Sequence, residues 1–68
     1  MIVAIETRDG RRMTVAEALD HLANGNYCAT GMDQIVMGVW DDGRKTSLKP
    51  RKDGFYYMSG NYCSEARR

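Results

Sequence analysis

The sequence predicts an α+β domain: one helix laid on a small, mostly antiparallel sheet, in the order β-(β)-α-β-β-β. Three observations lead there. One stretch, Thr14 to Asn24, has helical spacing behind a capping signal. The other apolar stretches are short and rich in β-branched or aromatic residues. Asp-Gly dipeptides at 9–10, 42–43 and 53–54 punctuate them, and glycine supplies the positive φ that tight hairpin turns need.

Residues 2–7 read as a strand with Val3 and Ile5 on one face, turned at Asp9-Gly10 into a strand stub at Arg11–Met13. Thr14 and Glu17 have capping-box spacing, and Val15, Ala18, Leu19 and Leu22 then share one side of a helix. Asn24-Gly25 stops it, and 26–33 is a loop. Gln34–Trp40 is a strand of apolar, branched type, Asp42-Gly43 turns it into Arg44–Leu48, and Asp53-Gly54 turns the chain into Phe55–Met58. Pro50 places the end or an edge of the middle strand nearby. Residues 59–68 carry no periodicity, the pattern of a loosely ordered tail on a single domain spanning 1–68.

With 68 residues, the chain has room for one domain with a marginal core, so a staple, a second copy or a partner surface would matter. Hydrophobic residues at 43% and charged residues at 28% with net charge +1 are ordinary for a globular chain. No apolar run reaches the ~18 residues of a membrane span. The opening MIVAIETRDG lacks a basic lead and meets Glu6, Arg8 and Asp9 too early for a secretory signal, so a cytoplasmic location is expected.

Two stretches echo each other at an offset of 33: IVAIETRDGRRMTV from Ile2 and IVMGVWDDGRKTSL from Ile35. Gly25-Asn26-Tyr27-Cys28 likewise returns as Gly60-Asn61-Tyr62-Cys63. A duplicated half and a common strand–Asp-Gly–strand solution met twice both account for this.

Two-residue loops at Asp42-Gly43 and Asp53-Gly54 would set Trp40 opposite Lys45, Val39 opposite Thr46, Met37 opposite Leu48, Arg51 opposite Tyr56 and Lys49 opposite Met58. One face then collects Ile35, Met37, Val39, Leu48, Phe55 and Tyr57 as the bed for the helix, with Val3 and Ile5 alongside. The other collects Val36, Trp40, Lys45, Lys49, Arg51, Tyr56 and Met58. One helix covers one side of a sheet, so this second set is the candidate partner-binding face, centred on Trp40 and Tyr56 with a basic rim.

The expected partner is another protein, either a heterologous target or a second copy in a homodimer. Inhibitors and accessory factors of mobile genetic elements are often this size. Single-stranded nucleic acid on the same aromatic and basic face is the alternative. Arg44, Lys45, Lys49, Arg51 and Lys52 form a basic segment, though Asp41, Asp42 and Asp53 flank it and the chain lacks the cationic surplus of a dedicated binder. No enzymatic role, cofactor or metal is expected. His21, Cys28 and Cys63 are three ligands without CxxC spacing. No GxxxxGK[ST], GxGxxG or GxSxG occurs, and Asp41-Asp42 is turn chemistry.

Overall fold

In the computed structural model, which describes residues 1–67, five strands form one antiparallel sheet. They are β1 (Ile2–Glu6), β2 (Arg12–Thr14), β3 (Val36–Trp40), β4 (Lys45–Arg51) and β5 (Gly54–Tyr57), in the order β2-β1-β3-β4-β5. Helix α1 (Val15–Ala23) follows β2 directly. Its start is the capping box read from the sequence: the Glu17 N–H donates to Thr14 Oγ1 (3.1 Å), and the Thr14 N–H donates to Glu17 Oε1 (3.3 Å). Val15, Ala18 and Leu22 are buried. The helix packs over β1 and β2. Met32, from the connection to β3, and Cys63 and Ala66, from the C-terminal segment, fill the rest of the core against Leu48 and Phe55.

The hairpin loops decide what faces this core. In the first hairpin the Thr7 N–H donates to Arg11 O (2.8 Å) and the Gly10 N–H to Thr7 O (3.1 Å). In the second the Trp40 N–H donates to Arg44 O (2.7 Å) and the Gly43 N–H to Trp40 O (3.0 Å). Each loop therefore holds three residues, Arg8-Asp9-Gly10 and Asp41-Asp42-Gly43, closed by a glycine at φ 94° and 92°. The aspartates support both turns. Asp42 accepts from the Arg44 backbone N–H (3.0 Å) and from Arg44 Nε (2.7 Å), and Asp9 holds Arg11 in the same way at 3.4 and 3.3 Å.

A loop one residue longer than expected slips β3 by one position against β4, and such a slip turns every side chain over. The pairs are Val36↔Leu48, Met37↔Ser47, Gly38↔Thr46 and Val39↔Lys45. Val36 is consequently in the core at 1% exposure, and Trp40 is half-buried against it. Neither belongs to the uncovered face, contrary to expectation. Met37 and Val39 face the other way, and Ile35, expected in the helix bed, is exposed. Trp40 is paired with Arg44 rather than opposite Lys45, and the Arg44 guanidinium lies over its ring, 5.5 Å from the centroid. In β1 an irregularity between Ile2 and Ala4 puts Ile2 in the core and leaves Val3 exposed, reversing the expected roles.

The β4–β5 loop is Lys52-Asp53, because Arg51 pairs with Gly54. This differs from the expected register by two residues, an even slip, so both strands keep their predicted faces. Lys49 pairs with Tyr56 on the outer side, while Leu48 and Phe55 are fully buried. Pro50 lies beyond Val36↔Leu48 and so is paired on the β5 side only; its missing N–H falls on the open β3 side and costs no ladder bond.

The three-residue loop occurs a third time. The Tyr57 N–H donates to Asn61 O and the Gly60 N–H to Tyr57 O, both at 2.8 Å, enclosing Met58-Ser59-Gly60. Tyr62 then bridges Tyr56, the Cys63 N–H donates to Phe55 O, and Cys63 and Ala66 are fully buried. The C-terminal segment is thus part of the core, and Arg68 of the expected tail lies outside the described residues.

The sequence echo is a structural one. Moving the β1–β2 pairs Ala4↔Thr14, Ile5↔Met13 and Glu6↔Arg12 along by the offset of 33 reproduces three β3–β4 pairs, Met37↔Ser47, Gly38↔Thr46 and Val39↔Lys45. Ile5 pairs with Gly38, its own equivalent, and Ala4↔Val39 and Glu6↔Met37 follow symmetrically. The two hairpins are therefore related by a pseudo-twofold axis through Ile5 and Gly38. Glycine at 38 leaves room for its neighbours: a Cβ there would stand 2.8 Å from Ile2 Cδ1 and from Leu48 Cδ1.

Because Gly10 and Gly43 occupy equivalent turns with nothing within 4 Å of an added Cβ, Gly10→Ala and Gly43→Ala should cost the same, about 1–2 kcal/mol each in urea unfolding. Leu22→Ala should cost about 2–5 kcal/mol. Trp40→Ala should also destabilise the fold in urea unfolding, by less than the ~3–5 kcal/mol of a fully buried tryptophan.

Candidate functional site

The sheet face opposite α1 has two unlike halves. Over β1 and β3, Ala4 and Val39 pair outside the core cluster. Glu6 receives Lys45 Nζ at 2.8 Å and Arg12 Nη1 at 3.2 Å. Since Glu6 pairs with Met37 and Lys45 with Val39, the Lys45–Glu6 contact crosses β3 diagonally and straps this half of the face. The Lys45 hydrogen bond, helped by the charge of Arg12, holds the Glu6 carboxyl below its usual 4.5. Lys45 lies on the predicted face, but its charge is already engaged.

The β4–β5 half is different. Lys49, Arg51, Asp53, Tyr56 and Gly60 line a shallow groove of about 350 Å³. A second hollow, of about 260 Å³, adjoins it and is lined by Asp33, Gln34, Ile35, Lys49, Pro50 and Arg51. Lys49 and Arg51 form the ridge between the two. Neither they nor Lys52 makes an ion pair with any described residue, nor do Arg8 and Arg67 elsewhere, whereas Arg11, Arg12, Arg44 and Lys45 all do. The Tyr56 hydroxyl donates to Asp53 Oδ2 at 2.7 Å, which raises the phenol above its ordinary value of 10. The Tyr62 ring meets Tyr56 edge-on, with centroids 5.3 Å apart and planes at 80°. Tyr62 lies over Gly54, where an added Cβ would come within 3.0 Å of the ring.

Ile35, Met58 and Tyr62 are exposed by 42%, 47% and 46%, so large apolar groups border this cationic ridge. Of the predicted face, Lys49, Arg51 and Tyr56 come together here, and Met58 stands at the adjoining turn. Val36 and Trp40 are on the core side, and Lys45 is strapped to Glu6. Sequence reasoning missed Tyr62, Ile35 and Asp53. Gly60 after Met58-Ser59 marks the third glycine-closed loop, the signal that brings Tyr62 back beside Tyr56.

Other titratable groups hold the C-terminal segment in place. The Tyr57 hydroxyl donates to Glu65 Oε1 at 2.6 Å, and the Ile2 N–H donates to Glu65 O at 3.1 Å. The shared hydrogen bond lowers the Glu65 carboxyl and raises the Tyr57 phenol. Cys28 is exposed and Cys63 buried, and both are free. Among the described residues no three His, Cys, Asp or Glu side chains gather in a metal-holding group, and no helix is long and apolar enough to cross a membrane. Comparison with known protein families, characterised proteins and solved structures returns no match, so function has to be read from the site itself.

The lowered carboxyls of Glu6 and Glu65 contribute stability that is full above their ordinary 4.5 and is lost as pH falls through their folded values. The raised Tyr57 phenol contributes stability that is full below its ordinary 10.0 and is lost as pH rises past it. The urea midpoint should therefore be highest between these values and fall on both sides. Glu6→Gln should flatten the acid side only, and Glu65→Gln should flatten both.

Proposed function

We propose that this chain is a small non-enzymatic interaction module, of inhibitor or accessory-factor type, which acts in the cytoplasm by binding another protein through the β4–β5 half of its outer sheet face. The observation that supports this is that three of the five large apolar side chains exposed among the described residues stand on the same half of the face as Lys49 and Arg51, the other two, Met1 and Val3, lying at β1. Ile35, Met58 and Tyr62 are exposed beside Lys49 and Arg51, while the rest of the face is strapped by Glu6, Lys45 and Arg12. A mixed patch of this kind has the make-up of a protein interface: aromatic and aliphatic groups that desolvate on contact, within a charged rim.

Such a module works by occupation. Tyr56 and Tyr62 offer broad contact area with few rotatable bonds, and the Asp53 hydrogen bond and the Gly54 backbone hold their rings before a partner arrives. Lys49 and Arg51 speed encounter and set orientation.

Affinity capture from host lysate with nuclease-treated and untreated arms tests this. The wild type and an Ala23→Lys variant on the exposed helix end should retain the same nuclease-resistant protein, and Tyr56→Ala/Tyr62→Ala should lose it. A partner that survives the double substitution, or one that vanishes with nuclease, would contradict the proposal.

A further inference from the structure

Resting on that docking reading, we infer the chemistry of what docks: a polypeptide segment that carries one or two carboxylates flanked by apolar side chains. The ridge of Lys49 and Arg51 is shared by two hollows, and each hollow has an acid in its lining, Asp53 in one and Asp33 in the other. Lys52, the third base of this segment, sits in the β4–β5 turn next to Asp53, so the positive charge on the face itself is confined to Lys49 and Arg51. A partner gains by setting negative charge on the ridge and loses by continuing it to either side.

That pattern separates the polyanions from an acidic protein segment. A nucleic-acid strand carries a phosphate at every nucleotide and cannot avoid running charge past Asp33 or Asp53. The tyrosines do not form a platform for successive bases either. Their rings stand edge to face at 80°, and Tyr62 leans on Gly54, so parallel ring faces are not presented along a groove. A peptide can place a glutamate or aspartate over the ridge and turn apolar residues toward Ile35 on one side and Tyr62 on the other. Both are exposed, at 42% and 46%.

The test is a titration of the isotopically labelled full chain, followed by amide chemical shifts, with four probes. These are a short synthetic peptide with two central glutamates between leucines, the same peptide with glutamines, a polyglutamate peptide of equal length, and a short oligothymidylate. The first peptide should move the amides of Lys49, Arg51, Tyr56 and Gly60 while leaving Arg12 and Lys45 in place. It should bind about tenfold more tightly than the other three. Lys49→Gln/Arg51→Gln should abolish the difference between the glutamate and glutamine peptides while the spectrum stays folded. Equal binding of both peptides, tighter binding of polyglutamate or the oligonucleotide, or shifts centred elsewhere would overturn the inference. If only this titration fails and capture still yields a partner sensitive to Tyr56 and Tyr62, the inferred partner chemistry is wrong and the docking face stands. If capture fails as well, the docking face itself is wrong.

Discussion

A glycine in the left-handed region, placed third in a three-residue loop, governs this molecule. It occurs at Gly10, Gly43 and Gly60, and each time it sets the register of the strands it joins. Because strand side chains alternate, register is also a choice of face. At Gly43 that choice puts Val36 into the core and turns Trp40 toward it, under the guanidinium of Arg44. At Gly60 it returns Tyr62 to the side of Tyr56 and delivers Cys63 to the interior.

The character of the outer face follows from the same register. With Val39 opposite Lys45 and Glu6 opposite Met37, the lysine reaches diagonally across β3 to the carboxylate, and Arg12 joins from the other side. Arg12 and Lys45 are equivalent under the pseudo-twofold, whereas their shared partner Glu6 stands where the other hairpin has Val39. One acid thus engages a base from each hairpin. The β4–β5 extension falls outside the repeat, and its Lys49, Arg51 and Lys52 make no ion pair with any described residue.

Sequence made some of this legible. The helix could be located to its cap because capping is local: Thr14 and Glu17 satisfy each other within one turn, whatever the rest of the chain does. The antiparallel architecture could be read from strand-like runs separated by Asp-Gly. The loop length could not, since Asp-Gly suits two-residue and three-residue hairpins alike, and that single-residue ambiguity inverts β3. The faces of Lys49, Arg51 and Tyr56 were legible despite a wrong register because the error there was even. Met32, Cys63 and Ala66 were not, as isolated apolar residues in turn-rich segments have no period to reveal them. The equal-offset echo was visible, but the pairing of Ile5 with Gly38 that makes it symmetrical exists only in three dimensions.

The central claim is that three-residue loops set the β3–β4 register, and cross-strand NMR contacts test it most directly. The Trp40 N–H to Arg44 O bond marks a hydrogen-bonded pair, so the alternating positions Val39–Lys45 and Met37–Ser47 are the close, non-hydrogen-bonded pairs of the ladder. Strong Hα–Hα contacts between the members of those two pairs are predicted, together with contacts from the Trp40 indole to core side chains. Cross-strand contacts that pair Trp40 with Lys45 and Val39 with Thr46, with the indole in solvent, would contradict the account.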